Sequence, residues 1–308
     1  MSITAFAPAT VANFGPGFDV LGIAIDGAGD TVTVKQGEHP GIHITAIHGD
    51  DGRLPTDPAK NTASIAARET LKAAGVEMSL EIEIHKGLPL CSGLGSSAAS
   101  AAAAAFATNQ LIGSPLRKPD LIGPCIEAEA AVSGRHADNV APALLGGLVL
   151  VRSIDPPDLI RLPIPDGLTI VVVTPEHEIP TSQARSVLPA EVPMQTMVSS
   201  TAQIASLVSA CYSSDLSLLS RCLTDEVVTP ARIGLIPGGE AALGAALGAG
   251  ALGASISGAG PSLFALCRSE RSARSAAQAM QEAIAQAGPN STVRISPANC
   301  AGVRRVKR

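Results

Sequence analysis

The sequence predicts an α+β fold in two domains, and three observations carry that expectation. Strand-like apolar and alternating runs interleave with helical stretches of small residues through the first half of the 308-residue chain. The segment RSIDPPDLIRLPIPDG, residues 152–167, then places four prolines within sixteen residues, a break in the pattern. Beyond it the order simplifies to strand, helix, strand, strand, helix, strand, the split-βαβ arrangement, with extra helices inserted.

Taken in order, residues 3–8 and 19–25 are expected as strands, and 30–35 (DTVTVK) alternates with a period of two. Residues 42–47 form a further strand. A helix is expected over 61–74, ending at Gly75 as its C′ glycine. Residues 79–85 (SLEIEIH) alternate apolar and charged side chains, as a half-exposed strand does. A glycine-rich loop leads into an alanine-rich helix over 96–111, then a helix over 119–133 and a buried strand over 144–151. The proline-rich segment sets the boundary, dividing the chain into 1–160 and 161–308. Strand 168–174, helix 196–211, two shorter helices within 215–248, strands 251–257 and 262–267, helix 270–287 and strand 292–296 complete the second half.

Apolar residues make up 46% of the chain, yet it has no Trp, one Tyr and five Phe. The core must therefore be packed with Ala, Val, Leu and Ile, and a purine pocket would be aliphatic and backbone-lined rather than built from stacked rings. The net charge of −5 and the scattered basic residues argue against a nucleic-acid binder. The one basic cluster, Arg304, Arg305, Lys307 and Arg308, reads as a solvated tail. Six cysteines at wide spacing suggest buried free thiols in a reducing compartment. The first residues lack a signal-peptide pattern, and no apolar run is long enough to span a bilayer. A cytoplasmic setting follows as the expectation.

The segment Pro89, Leu90, Cys91, Ser92, Gly93, Leu94, Gly95, Ser96, Ser97, Ala98, Ala99 carries the strongest chemical signal. Two glycines one residue apart let the backbone turn and expose consecutive N–H groups. The helix opening at the serines has unpaired N–H groups and a dipole that favours an anion. A Walker A loop is excluded because no Lys follows the glycine. A dinucleotide fingerprint matches Gly93, Gly95 and Ala98 but starts too far from its strand. A plain helix-capping turn remains the structural alternative.

The loop P-L-C-S-G-L-G-S-S-A resembles the phosphate loop of the GHMP kinases, the galactokinase, homoserine kinase and mevalonate kinase superfamily. Two further blocks have that superfamily's character: residues 7–19 (APATVANFGPGFD) and 257–262 (SGAGPS). Four segments are similar to the homoserine kinase family in particular: NFGPGFD (13–19), HADNVAPALLGG (136–147), TSQARSVLP (181–189) and PARIGLIPG (230–238). The resemblance implies the two-domain GHMP kinase fold, with an N-terminal mixed α/β domain and a C-terminal ferredoxin-like split-βαβ domain. It also implies ATP-dependent phosphorylation of the side-chain hydroxyl of L-homoserine, on the route to threonine. ATP and Mg²⁺ are the implied cofactors and a homodimer the implied assembly.

Residue by residue, the resemblance places the substrate carboxylate at Arg185 and Arg232. A planar guanidinium suits bidentate contact with a carboxylate. It places the ammonium at Asp19, with Asn13 and Gly258 as further substrate contacts. One acid with two arginines is the charge set a zwitterionic amino acid requires. His136, Asp138 and Asn139 form the polar site at the hydroxyl, Asn139 orienting it and Asp138 standing as the candidate base. Asn61 and Thr62, which read first as a helix N-cap pair, are implied to border the adenine. Ser97 and Glu129 are the implied metal ligands. The stretch SGRH before His136 is one residue shorter than the family pattern, which makes Glu127 the competing assignment. The segment DEVVT before Pro230 lacks a histidine that the pattern holds nearby. His39, His43 and His48 match no tetrahedral metal template and read as a solvent-facing strand with loops. Two other readings stay open: a GHMP kinase for a mevalonate- or sugar-type substrate, and a catalytically silent ligand-binding member.

Overall fold

The computed structural model describes residues 1–306, so Lys307 and Arg308 of the basic tail lie outside the described residues. The first sheet is built from β1 (Ser2–Ala12), β2 (Leu21–Gln36), β3 (Ile42–His48) and β4 (Leu80–His85), with α1 (Thr62–Ala73) between the last two. Two strands expected at 19–25 and 30–35 are one long strand. β1 pairs with β2 across a register shift at Pro8 and Ala9, where residues 26–28 bulge out around Gly27 at φ +85°. Gly27 accommodates the bulge that joins them.

The alanine-rich helix α2 (Ser96–Leu111) lies across β1 and β2, almost wholly buried. Its small side chains allow close approach to the sheet, which is how a core nearly free of aromatics reaches dense packing. The helix expected over 119–133 is a 3₁₀ turn (Lys118–Leu121) followed by α3 (Ile122–Ala130). α4 (Val140–Leu145) precedes β5 (Leu148–Ile154), so the first residues of the strand expected from 144 are helical or turn.

The proline-rich segment is not a linker. Residues Pro157–Leu162 form β6, antiparallel to β5 in the first sheet. A division between 160 and 161 would cut that strand; the chain changes sheets over 163–168. The tail also returns to the first sheet. Arg304–Arg305, β11, pairs with β1, and the Arg304 guanidinium lies over the Phe6 ring at 4.4 Å. Part of the expected solvated tail is thus an edge strand.

The second sheet contains β7 (Thr169–Pro175), β8 (Gly253–Ile256), β9 (Leu263–Cys267) and β10 (Ser291–Pro297), in the order β10-β7-β9-β8 and antiparallel throughout. With α10 (Glu270–Gln286) this is the split-βαβ order that the sequence predicts. Between β7 and β8 lie α5 (Thr181–Ser186), α6 (Met194–Ser213), α7 (Leu216–Cys222), α8 (Val228–Arg232) and α9 (Gly239–Gly248), of which α9 packs beside α10 as the first helix of that order; 215–248 holds one short helix more than expected. Alternation along β7 decides how the halves meet. Val171 and Val173 face the core under α9 and α10, while Ile170 and Val172 join the core of the first sheet. No helix among the described residues is long and apolar enough to cross a membrane. All six cysteines are free thiols, five buried and Cys91 exposed.

Candidate active site

A cavity of about 540 Å³ lies where the two sheets meet. One wall is the glycine loop. Gly95 takes φ +65° and forms the N-terminal boundary of α2. A Cβ there would stand 2.1 Å from the Thr10 hydroxyl and 2.7 Å from the Asn139 amide oxygen, so only glycine fits. Gly93, at φ +76°, lies against the Ser257 and Gly260 carbonyls. Leu90, Cys91, Ser92, Ser96 and Ser97 line the cavity with these glycines. Pro89 does not line it, and Leu94, Ala98 and Ala99 are core residues that anchor the loop from behind.

Asn61 caps α1, its amide oxygen accepting from the Ala63 N–H at 3.0 Å. The Thr62 hydroxyl donates to the Ser97 carbonyl at 3.4 Å, tying the cap to the first turn of α2. Both residues border the cavity. Lys86, which sequence reasoning passed over, enters it from the end of β4. Its ammonium is ion-paired with buried Asp30 and donates to the Ser96 carbonyl (3.0 Å) and the Ser100 hydroxyl (2.7 Å). Although the loop has no lysine, one is therefore delivered to its helix by a neighbouring strand.

Ser97 and Glu129, 32 residues apart, meet: the Ser97 hydroxyl donates to Glu129 Oε2 at 3.0 Å. The Ser133 hydroxyl donates to the same oxygen at 2.9 Å and lies 3.2 Å from His136 Nε2. Nδ1 of that ring is 3.0 Å from Asp138 Oδ1. Burial pushes the Glu129 carboxyl above its usual range, against the opposing pull of His136 and the two serines. Burial would lower His136, but Asp138, aided by Glu129 and Asp19, outweighs it and holds the imidazole above its ordinary value. Glu129 Oε1 and Ser96 Oγ are buried without a hydrogen-bond partner. The unpaired Glu129 oxygen, on a carboxylate that Ser97 already touches, fits a Mg²⁺-type cation, which takes few protein ligands and favours oxygen. Glu127 points elsewhere and is paired with Arg135 at 2.6 Å on the surface.

The opposite end of the cavity holds the charge set. Arg185, on α5, donates to both oxygens of Asp19, at 3.2 and 3.3 Å. Arg232, at the end of α8, is 3% exposed and donates to the carbonyls of Ala184 and Gly258, each at 2.9 Å. Burial, and next the nearby Arg185, lower its pKa. Both guanidiniums sit over the ring of Phe18, 5.7 and 5.4 Å from its centre, a placement the sequence did not suggest. Asn13 and Asp19 both adopt left-handed backbone, φ 68° and 57°, and the Asn13 amide oxygen accepts the Asp19 N–H at 3.2 Å. The Asn13 amide nitrogen donates to the Gly258 carbonyl at 3.3 Å. The DEVVT departure has a local use: Asp225 accepts from the backbone N–H groups of Val227, Val228 and Thr229, building the entry to α8. Asn139 is reached through Thr10, whose hydroxyl donates to its amide oxygen at 2.7 Å and leaves the NH₂ end as the free donor.

The comparisons with known proteins define first the class. Residues 61–147 match the family model "GHMP kinases N terminal domain", and 207–286 match "GHMP kinases C terminal". Homoserine kinase from Chlorobium phaeobacteroides (strain BS1) is 45% identical over 294 residues, 92% of each chain. That from Arabidopsis thaliana is 46% identical over 298 residues, 94% of this chain and 80% of the relative. The crystal structure of homoserine kinase from Cytophaga hutchinsonii superposes with a TM-score of 0.96 at 46% identity, over 99% of this chain and 97% of the other. The chain belongs to the GHMP kinases and, within them, to the homoserine kinase family.

Proposed function

We propose that this chain transfers the γ-phosphoryl group of ATP to the side-chain hydroxyl of L-homoserine, giving O-phospho-L-homoserine and ADP. The observation that carries the substrate reading is the convergence of Asp19, Arg185 and Arg232 at one end of the cavity that holds the glycine loop at the other. The arginines take the α-carboxylate and Asp19 the ammonium, so the substrate replaces the Arg185–Asp19 pair with one contact to each partner. Asn13 and the Gly258 carbonyl complete the ammonium end. Neither a mevalonate- nor a sugar-type substrate has use for this acid between two arginines. A catalytically silent member has no use for an unpaired buried carboxylate oxygen.

Leu90 through Ser97 receive the phosphates on backbone N–H groups and the start of α2, with Asn61 and Thr62 beside the adenine. A Mg²⁺ ion held by Ser97 and Glu129 would neutralise phosphate charge when bound. Asn139 presents its NH₂ group to the substrate hydroxyl and fixes its line of approach. That hydroxyl oxygen forms the new P–O bond as the bond to ADP breaks. Asp138, held by His136, is the candidate acceptor for the hydroxyl proton. Most of the catalysis is then positioning and charge neutralisation.

The buried free thiols accord with a cytoplasmic setting. We place the enzyme there as a homodimer, for which exposed Met194, Met197 and Val198 on α6 offer an apolar surface; light scattering after gel filtration tests it. The activity is tested by coupled ADP release with homoserine, mevalonate, galactose, shikimate and 3-aminopropanol. Homoserine alone should give rapid turnover. Comparable kcat/KM for 3-aminopropanol, which lacks the carboxylate, would overturn the two-arginine assignment.

A further inference from the structure

On the sheet face away from the cleft, β3 and β4 bring together three side chains that the kinase reaction does not use. His48 ends β3 and His85 ends β4, and the parallel ladder sets them directly opposite each other. Their rings stack with centres 4.4 Å apart and planes inclined by 24°. Glu83, two residues before His85 on the same face, places Oε1 2.9 Å from His85 Nε2 and 3.3 Å from His48 Nε2. All three donor atoms lie within 4.8 Å of one another.

Ordinary strand geometry would not produce this arrangement. The β3–β4 register shifts between Ile44 and Ala46, where Thr45 is the extra residue and its hydroxyl donates to the Ile82 carbonyl. Up to Ile44 the offset between partners is 38 residues; after Ala46 it is 37, as the pairs Ile44–Ile82 and Ala46–Glu83 show. Without the bulge, alternation would turn His48 inward, opposite Lys86. With it, Ile47 packs inward and His48 emerges beside His85. Bulges re-aim side chains, and this one aims an imidazole at an imidazole and a carboxylate.

We propose that His48, Glu83 and His85 form a surface site for a divalent transition-metal ion, with two imidazoles and one carboxylate as ligands. Tetrahedral Zn²⁺ at about 2.0–2.1 Å from each donor sets neighbouring donors roughly 3.3 Å apart. The separations from Glu83, 2.9 and 3.3 Å, lie just below and at that value, so side-chain rotation is enough to form the site. Two imidazoles with a carboxylate select Zn²⁺, Ni²⁺ or Cu²⁺ over Mg²⁺. The ion would pin the edge strand β3 to β4 beside Lys86, which lines the cleft and whose backbone N–H donates to the His48 carbonyl at 2.8 Å.

The test is calorimetric titration of the purified full chain with ZnCl₂ in the presence of millimolar Mg²⁺. His48→Ala, Glu83→Gln and His85→Ala are compared with His39→Ala/His43→Ala, which removes the neighbouring histidine pair. All the substituted side chains are at least partly exposed, so the variants should unfold near the wild-type temperature in EDTA. Wild type should show one stoichiometric site that His48→Ala or His85→Ala weakens at least tenfold and that the His39/His43 control retains. The Zn²⁺-induced rise in unfolding temperature should disappear in the same two variants. Absence of Zn²⁺ binding to wild type, or unchanged affinity and stoichiometry in both His48→Ala and His85→Ala, would overturn the proposal.

Discussion

Phe18 shows how a site residue can escape notice in a sequence. It lies inside NFGPGFD, where the acid after it draws attention, yet its ring underlies both arginines. Two guanidiniums beside one ring repel each other, and an aromatic face at about 0.5–2 kcal/mol per contact offsets part of that. Phe18→Leu should therefore raise the homoserine KM several-fold, leave the ATP KM unchanged, and be rescued by Phe18→Tyr. An equal rise in both KM values would show a general loss of structure instead. Arg185→Ala removes a charge-assisted contact of about 1.5–3 kcal/mol, roughly a 10- to 150-fold loss in kcat/KM for homoserine. ATP affinity should hold in steady-state assays. Arg232→Ala should lose as much and also lower the unfolding temperature, because its guanidinium ties the Ala184 and Gly258 carbonyls together. Glu129→Gln should lower kcat at least tenfold and raise the Mg²⁺ requirement, while Glu127→Gln stays near wild type. Crippling of the Glu127 variant alone would reverse that assignment. His136, with its pKa raised in the fold, contributes stability that is fully present below its unfolded value and lost as pH rises through the folded one. Denaturant titrations across neutral pH should show wild-type stability declining relative to His136→Asn as pH rises.

At the scale of elements, the glycine loop was the most legible part, because glycines, serines and a following run of alanines each have a local meaning. Gly95→Ala should abolish nucleotide binding as read by a fluorescent ATP analogue, since its Cβ collides with Thr10 and Asn139. Elements that depend on distant partners were not legible. β6 hides in a proline-rich segment because its prolines sit at its start and beyond its end, where the ladder asks nothing of them. β11 is two residues long and basic, and only β1 makes it a strand. Lys86, Thr10 and Ser133 acquire roles through partners up to 129 residues away or through a turn whose geometry no local rule supplies. His48 likewise belonged, by spacing, with His39 and His43, whereas a bulge gives it to His85.

For the whole molecule, two halves were legible but their independence was not. The second sheet serves two cores at once, with Ile170, Val172, Phe264 and Leu266 joining the core beneath the first sheet. Halves that share a core are expected to melt together. Calorimetry should show one transition, coincident with far-ultraviolet circular dichroism; two resolved transitions would show that the shared core is energetically minor.

The same seam runs through the glycine loop itself. Gly93 and Ser92 accept from Ser257 and Ser262, at 2.6 and 3.2 Å, and Cys91 accepts from Ile179 at 3.3 Å. Phe14 stacks on Phe264, with ring centres 5.5 Å apart. A breeder of chimaeras would find no tolerant crossover here. Joining this chain's first half to the second half of a relative exchanges every cross-seam partner together, so the hybrid inherits two parents' loops that never matured against each other. Recombination between such genes should then be accepted where the 91–93, 179 and 257–262 segments come from one parent, and rejected where a crossover splits them.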